Sequence, residues 1–224
     1  MKISRNQLAK MIDHTLIKPT ATKDQVIKLC EEAKRYNFGC VCVNSIYVSL
    51  AVQLLRGTDV KVSSTVGFPY GSTLPEVKAF ETKRSLENGA QEIDMVMNIG
   101  ALKSRNYETV KNDIEAVVNL KRSSDDVVVK VIIETGYLTD EEKIIACRLV
   151  KEAKADFVKT STGIVGGATV EDIRLMREIV GKNMGVKAAG GIRTLKQALT
   201  MIEAGANRIG TSTAVAIIEE IAEN

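Results

Sequence analysis

The 224-residue chain contains no tryptophan, and its aromatic side chains amount to four phenylalanines and five tyrosines. Neither sign of charge dominates, because 31 lysines and arginines are set against 28 aspartates and glutamates, leaving a formal net charge of +3. Proteins that bind nucleic acids need a concentrated basic surface, and those that bind single strands also need aromatic side chains on which bases stack. The composition therefore predicts no nucleic-acid partner.

Long apolar runs are also missing. Charges at Lys2, Arg5, Lys10 and Asp13 interrupt the start of the chain before the roughly 7 to 15 apolar residues of a signal peptide could accumulate. The apolar run at residues 214–218 is far shorter than the ~18 residues that span a bilayer. We therefore expect a cytoplasmic protein without a membrane segment.

Cysteine and histidine are too sparse for a disulfide framework or a zinc site. Without a secretory signal, the four cysteines, Cys30, Cys40, Cys42 and Cys147, are predicted to be reduced thiols in the core. The single histidine, His14, has no second histidine at ligand spacing and no C-x-x-C pair nearby. No metal and no cofactor are expected.

The chain alternates short segments rich in β-branched residues with longer segments of helical periodicity, and no linker or low-complexity tract interrupts them. Strands are predicted at residues 13–17, 39–43, 60–66, 91–97, 127–134, 155–160, 185–188 and 207–210. Helices are predicted at residues 23–36, 45–56, 74–88, 107–121, 140–154, 170–180, 195–203 and 213–222, after a short N-terminal helix at 4–11. Eight strands, each followed by a helix, predict a (β/α)8 TIM barrel as a single domain over residues 1–224.

The alternative architecture is an open, doubly wound sheet, which binds nucleotides through a glycine-rich turn after its first strand. No G-x-G-x-x-G follows any predicted strand, and no Gly-Lys-Ser/Thr P-loop occurs. The glycines at residues 163–167 have a different spacing. These absences favour the closed barrel.

Four charged residues interrupt predicted strands that should be continuously apolar: Asp94, Lys130, Lys159 and Lys187. Alternate residues of a barrel strand point into the lumen, so these four side chains can meet in one cavity. Alternatively, each lysine reaches solvent at a strand end, or forms a structural ion pair with Asp94 or Glu134.

Two neighbouring amines have a specific chemical use. A lysine with a pKa near ~10.4 is almost always protonated at pH 7, and both burial and a nearby cation favour its neutral, nucleophilic form. A neutral amine attacks a carbonyl to form a Schiff base, whose iminium group accepts electrons when a carbon–carbon bond breaks or forms. Asp94 is the expected group for the proton transfers.

Glycine-rich segments follow the last two predicted strands, at residues 190–194 and 210–213, and each precedes a helix. Barrels often bind phosphate with the loops after strands 7 and 8. The alternatives are a tight turn for the glycines and a solvated charge for Arg193. Their joint placement predicts a phosphate site.

With these residues in view, the chain resembles the deoxyribose-phosphate aldolases, Schiff-base aldolases of the (β/α)8 class, over essentially its whole length. The matching segments are IDHTL at 12–16, EIDMVMN at 92–98, KVIIET at 130–135, FVKTSTG at 157–163, KAAGGIRT at 187–194 and RIGTS at 208–212. The resemblance implies reversible cleavage of 2-deoxy-D-ribose 5-phosphate to D-glyceraldehyde 3-phosphate and acetaldehyde. It also implies a homo-oligomer, either a dimer or a tetramer.

By position, the resemblance implies that Lys159 forms the imine, that Lys187 is the second lysine that perturbs it, and that Asp94 shares the proton transfers. Further implied site residues are Asp13 and Thr15 near substrate hydroxyls, Cys42 and Lys130 in the pocket, and Gly163, Gly190, Gly191, Gly210 and Ser212 on the phosphate side, joined by Arg193.

On the phosphate side, the chain departs from the family pattern at two positions. Ile164 stands where some members carry a lysine that can reach the phosphate, and Thr213 replaces the second serine of the usual Ser-Ser pair. The residues alone leave two other interpretations open. One is a Schiff-base aldolase or transaldolase acting on a different sugar phosphate, and the other is a non-catalytic barrel that binds sugar phosphates.

Overall fold

A computed structural model describes residues 3–121 and 127–221. Eight parallel strands pair in sequence order, and the eighth pairs with the first, which closes the sheet. They are β1 (Ile12–Leu16), β2 (Cys40–Val43), β3 (Lys61–Val66), β4 (Glu92–Val96), β5 (Val128–Ile132), β6 (Phe157–Lys159), β7 (Gly185–Ala189) and β8 (Arg208–Thr211). The predicted (β/α)8 barrel is confirmed.

The helices follow the predicted pattern closely. They are α1 (Arg5–Met11), α2 (Lys23–Tyr36), α3 (Val48–Leu55), α4 (Pro75–Glu87), α5 (Ile99–Lys103), α6 (Tyr107–Lys121), α7 (Asp140–Glu152), α8 (Val170–Val180), α9 (Leu195–Ala204) and α10 (Ala214–Glu219). The predicted helix 45–56 begins with a 3-10 turn, Ser45–Tyr47. The short helix α5 was not predicted, and Ala222, in the last predicted helix, lies outside the described residues.

Local capping explains why these helices begin where they do. Thr139 accepts a hydrogen bond from the Glu142 backbone N–H, while the Glu142 side chain accepts one from the Thr139 backbone. Thr169 caps α8 in a simpler way, by accepting from the Asp172 backbone. Such caps satisfy backbone donors that the first helical turn leaves without partners.

The two faces of each strand carry different side chains. Outward positions such as Val41, Ile93, Val131 and Ile209 belong to a hydrophobic core between the sheet and the surrounding helices. Inward positions carry the charged side chains described below. The sequence of alternating apolar and charged residues therefore separates a layer that stabilises the fold from a layer available for chemistry.

Strand β5 ends earlier than predicted, at Ile132 and not at residue 134. Glu134 has a left-handed backbone with φ of 53°, and a 3-10 turn, Thr135–Tyr137, follows it. An extended strand cannot continue through this conformation, so Glu134 belongs to the loop at the carboxyl end of β5.

A buried ion pair fixes the carboxyl end of β4. Lys78 Nζ, on α4, donates to the Val96 carbonyl at 2.8 Å and to Asp113 Oδ2, on α6, at 2.7 Å. The same carboxylate oxygen accepts from the Asn98 backbone N–H at 2.9 Å. Burial lowers the pKa of Lys78 and raises that of Asp113. This pair ties two helices to the strand that carries Asp94.

Within the described residues, no helix is both long and apolar enough to cross a membrane.

Candidate active site

Two lysines from neighbouring strands meet at one carboxylate oxygen inside the barrel. Lys159 ends β6 and pairs in register with Lys187 of β7. Their Nζ atoms donate to Asp94 Oδ2 at 2.7 and 2.6 Å, respectively. The two amines are therefore held within the span of two hydrogen bonds, as the alternation of the strands predicted.

A third lysine occupies the other oxygen of the same carboxylate. Lys130 Nζ lies 2.8 Å from Asp94 Oδ1 and 2.5 Å from Glu92 Oε2. Ser63 Oγ also donates to Asp94 Oδ1 at 2.9 Å. Both oxygens of Asp94 thus have hydrogen-bond donors, which fixes the orientation of its carboxylate.

The network continues to β1 and β8. Asp13 forms ion pairs with Lys187 and with the Arg208 guanidinium, which also contacts Glu92. The connected cluster contains four cationic side chains, Arg208 and the three lysines, and three anionic ones, Asp13, Glu92 and Asp94. One cation is in excess, so release of one proton from the cluster makes it electrically neutral.

The cluster sets the protonation of most of its members. Burial would raise the pKa of Asp94, but Lys130, Lys159 and Lys187 outweigh burial and hold that pKa well below its usual range. Burial would lower the pKa of Lys187, but Asp13 and Asp94 outweigh it and raise that pKa. Lys187 is consequently favoured in its protonated form beside Lys159.

The geometry excludes solvent exposure as an explanation for the strand lysines and shows the alternative ion pairs with Asp94. Lys130 and Lys187 are fully buried and Lys159 is 2% exposed, so none of them reaches bulk solvent as a snorkelling side chain would. All three pair with Asp94. Glu134 accepts hydrogen bonds from Thr162 instead, at its backbone N–H and its hydroxyl.

A cavity of about 380 Å³ opens at the carboxyl ends of the strands. Of the site residues predicted from the sequence, eight line it: Thr15, Lys159, Gly163, Gly190, Gly191, Arg193, Gly210 and Ser212. Lys159 and the predicted phosphate loops therefore share one cavity, at the end of the barrel where enzymes of this fold place their chemistry.

The remaining predicted residues lie in the buried interior and do not line this cavity. Asp94 and Lys187 contact Lys159 directly or through a shared carboxylate, whereas Asp13 and Lys130 belong to the ion-pair cluster. Cys42 is fully buried, and burial raises the pKa of its thiol. A direct contact of Asp13 or Cys42 with substrate stays a prediction.

The glycine loops pack closely against each other. The Gly190 carbonyl accepts a hydrogen bond from the Ala168 backbone N–H at 3.0 Å. Gly190 has φ of 92°, and a Cβ there would lie 3.0 Å from the Gly167 Cα. A side chain at position 190 would therefore be strained and would push apart the loops after β6 and β7.

Several cavity residues were missed in the sequence. Lys18 and Phe68 line it from the loops after β1 and β3, and Thr162 lines it from the loop after β6, beside Ile164, whose position the resemblance had indicated. Their common signal is position, since each follows the carboxyl end of a strand. Loop residues do not alternate as strand residues do, so the sequence pattern did not show which of them face the cavity.

Within the described residues, one group has the geometry of a metal site: Asp13, Cys40 and Glu92, whose ligand atoms lie within 4.8 Å of one another. The Arg208 guanidinium already binds both carboxylates. Burial raises the pKa of the Cys40 thiol well above its usual value, which favours the protonated form that binds metals poorly. These residues therefore fit an internal arginine better than a metal ion.

The four cysteines are free and buried, as predicted. Burial raises the pKa of Cys30 to about 11 and that of Cys147 to about 12. They are core thiols without the thiolate character that catalysis needs.

A closed (β/α)8 barrel with a lysine amine at the floor of a cation-lined cavity is suited to an enzyme that acts on carbonyl compounds. A sequence model described as DeoC/LacD family aldolase matches residues 7–219, and the chain belongs to this family. It is thus an aldolase, a carbon–carbon lyase by class, and the resemblance seen in its motifs is confirmed.

Individual relatives agree with this assignment. The chain is 62% identical over 220 residues to the deoxyribose-phosphate aldolase of Thermococcus kodakarensis, covering 97% of this chain and 98% of the relative. It is 60% identical over 215 residues to that of Clostridium tetani, covering 96% and 99%. A tetrameric deoxyribose phosphate aldolase structure from Aeropyrum pernix superposes with a TM-score of 0.90 at 36% identity, covering 97% of this chain and 92% of that one.

Proposed function

We propose that this aldolase reversibly cleaves 2-deoxy-D-ribose 5-phosphate to D-glyceraldehyde 3-phosphate and acetaldehyde through an imine on Lys159. The name of its relatives, at about 60% identity over nearly the whole chain, supports the substrate. The shared Asp94 oxygen between Lys159 and Lys187 supports the chemistry most directly.

Lys159 is the best placed amine of the cluster. Each of the other three cations contacts at least two carboxylates, whereas Lys159 pairs with a single described carboxylate, Asp94, and lines the cavity. Release of its proton neutralises the cluster without exposing an unpaired buried carboxylate. The neutral amine then adds to C1 of the open-chain sugar, and loss of water gives the iminium.

The iminium accepts the electrons of the C2–C3 bond. A base removes the proton of the C3 hydroxyl, and C3 becomes the aldehyde carbon of glyceraldehyde 3-phosphate. The two-carbon fragment, C1 and C2, stays on Lys159 as an enamine. Protonation of this enamine at C2 and hydrolysis of the resulting iminium release acetaldehyde and restore the amine. Asp94 rests as a carboxylate among three lysines. Its hydrogen bond to Lys159 Nζ lets it take up the proton of that nitrogen transiently and pass it on.

The phosphate group of the substrate binds at the loops that follow β6, β7 and β8. The loops after β6, β7 and β8 bring Gly163, Gly190, Gly191 and Ser212 to the lining, and Arg193 supplies a positive charge. Backbone N–H groups and an arginine are the donors that phosphate oxygens prefer.

The decisive experiment is reductive trapping with acetaldehyde and borohydride, read by peptide mass spectrometry. An ethyl group should attach irreversibly to Lys159, and Lys159→Ala should lose both the label and the cleavage of 2-deoxyribose 5-phosphate. Lys151→Ala, which removes an exposed lysine of α7, is the matched control and should retain both. Label on another lysine would refute the imine assignment, and preference for a ketone donor would refute the substrate.

Copies of the chain are proposed to associate. A relative from Aeropyrum pernix is described as tetrameric, and this chain exposes an apolar surface made of Ile46, Tyr70, Leu74, Val77 and Phe80. The hydrogen bond from Ser45 Oγ to Glu81 Oε1 at 3.1 Å brings together the residues next to Ile46 and Phe80 in the sequence. Exposed apolar patches of this kind mark association surfaces. Cytoplasmic location and the absence of a nucleic-acid partner stay predictions.

A further inference from the structure

The cavity has a one-sided distribution of charge. Its described lining residues include three cations, Lys18, Lys159 and Arg193, and no aspartate or glutamate. Lys159 is paired at the floor with Asp94. The other two cations lie on loops around the opening, so the field of the cavity draws an anionic group to the opening and leaves the floor to a neutral carbonyl.

Among the described residues, the Lys18 ammonium group has no partner. In the part of the chain that the structure describes, no carboxylate lies within 4.0 Å of its ammonium group and no hydrogen bond involves it. Every cation of the buried cluster, in contrast, is paired. An unpaired cation that lines a cavity is available to a ligand.

The backbone that carries Lys18 is nevertheless well fixed. The Lys18 carbonyl accepts from the Ala21 backbone N–H at 3.0 Å and from Asn44 Nδ2 at 3.4 Å. The Tyr47 hydroxyl donates to the Ala21 carbonyl at 2.7 Å. Pro19 has a fixed φ and also restricts the backbone of Lys18, the residue before it. The turn therefore presents the side chain of Lys18 from a defined position.

The loops after neighbouring strands each bring different side chains to the cavity. Strands β7, β8 and β1 are adjacent in the closed sheet, and the loops that follow them place Arg193, Ser212 and Lys18 around the cavity. The loop after β6 places Ile164 there, an apolar side chain that is 59% exposed. That loop brings no cation to the opening, so the positive charge comes from the β1 and β7 loops.

We propose that Lys18 is a substrate-binding residue that contacts the phosphate group of the sugar, together with Arg193. This inference rests on the proposed function, because it assigns a phosphate contact within the same cavity. A lysine ammonium binds phosphate as a compact charge and needs no fixed angle of approach. Because its backbone lies on a fixed turn, the Lys18 side chain can contact the phosphate of a sugar bound in the cavity.

The test compares two substrates in the full-length enzyme. Lys18→Gln should lower kcat/KM for 2-deoxyribose 5-phosphate by roughly ten- to a hundredfold, the size expected for one hydrogen bond to a charged group. The loss should lie in KM, because the phosphate is remote from the bond that breaks. With unphosphorylated 2-deoxyribose, kcat/KM should stay within about twofold of the wild type, and Lys18→Arg should restore most of the activity toward the phosphorylated sugar.

The matched control is Lys23→Gln, which neutralises an exposed lysine at the start of α2 that does not line the cavity. Lys23→Gln should behave as the wild type with both sugars. Equal losses for the two sugars in Lys18→Gln would overturn the proposal, since they would indicate a distorted loop. An unchanged KM for the phosphorylated sugar would overturn it as well.

A second readout separates this proposal from the proposed function. Inorganic phosphate, titrated by calorimetry into each variant, should bind more weakly to Lys18→Gln than to the wild type and Lys23→Gln. If the wild type cleaves neither sugar but this difference persists, the proposed reaction is wrong and the phosphate contact of Lys18 stands. If phosphate binds all three proteins equally, the contact is wrong whatever the enzyme cleaves.

Discussion

Lys159 and Lys187 occupy paired positions on adjacent strands and donate to the same oxygen of Asp94. Parallel pairing puts their side chains on the same face of the sheet, and closure of the barrel brings β4 across to meet them. Asp13 binds Lys187 from the far side and keeps it protonated. One lysine is thereby fixed as a cation, and the other is left with a single carboxylate and an open cavity.

Removing the second cation should suppress imine formation. In Lys187→Met the cluster retains three cations against three anions, so the Lys159 proton becomes necessary for charge balance. We expect the rate of borohydride trapping at neutral pH to fall by roughly a hundredfold or more, with partial recovery at higher pH. Lys187→Arg, which keeps the charge, should trap faster than Lys187→Met. Equal rates for the wild type and Lys187→Met would contradict this role.

The buried carboxylates predict how stability depends on pH. Neighbouring cations hold the pKa of Asp13 and of Asp94 below the usual range, near ~3.9 for an unfolded aspartate. As the pH falls through about 4, the unfolded chain binds protons that the folded chain does not, so the free energy of unfolding decreases. The stabilisation by these groups is fully present above that pH.

Urea unfolding between pH 6 and pH 3 measures this dependence, with the pH range chosen to bracket ~3.9. Asp94→Asn should show a smaller loss of stability over that interval, although it starts from a lower value because its partners are left as uncompensated buried cations. Asp59→Asn removes an exposed aspartate and should follow the wild-type curve. A wild-type slope in Asp94→Asn would show that other carboxylates govern the acid sensitivity.

The strand alternation was sufficient to predict that Asp94, Lys130, Lys159 and Lys187 face the lumen, because charges in the middle of apolar strands have few other positions available. The alternation did not predict that Arg208, the first residue of β8, joins the same cluster. A charge at the first residue of a strand is ordinarily solvated, so it gives no signal in the sequence. Closure of the barrel buries it against carboxylates from β1 and β4.

Apart from the glycine-rich segments after β7 and β8, loop residues were predictable only by resemblance or not at all. Lys18 and Thr162 face the cavity because of turns fixed by contacts distant in sequence, such as the bond from Asn44 to Lys18 and those from Thr162 to Glu134. Neither periodicity nor composition encodes those contacts. The left-handed backbone of Glu134 ended a strand that the continuous β-branched run had extended.

Glu134 should act as a positioning residue for the loop after β6. Its buried carboxylate accepts from the Thr162 backbone N–H at 3.1 Å and from the Thr162 hydroxyl, which in turn accepts from the Ile164 N–H at 3.2 Å. Glu134→Ala leaves these donors unsatisfied, and we expect a loss of about 1–3 kcal/mol in stability and a rise in KM of roughly tenfold for the phosphorylated sugar.

Two further variants separate the lost acceptor from backbone strain at Glu134. Glu134→Gly accommodates the φ of 53° and should be more stable than Glu134→Ala while sharing its raised KM. Glu134→Gln keeps one acceptor and should recover part of the affinity. If Glu134→Gly restored the wild-type KM, the carboxylate would have no positioning role.

The exposed apolar surface predicts the assembly state. Phe80 is 65% exposed and lies on α4 one turn from Val77, with Leu74 a further turn away. Burying such side chains against a second copy stabilises association by about 25 cal/mol for each Å² removed from water. Light scattering should show a dimer or tetramer for the wild type and a smaller species for Phe80→Glu, which places a charge in the contact. Lys83→Glu changes an exposed charge on the same helix and should retain the wild-type mass. A monomeric wild type, or an unchanged mass for Phe80→Glu, would show that copies of the chain do not associate through this surface.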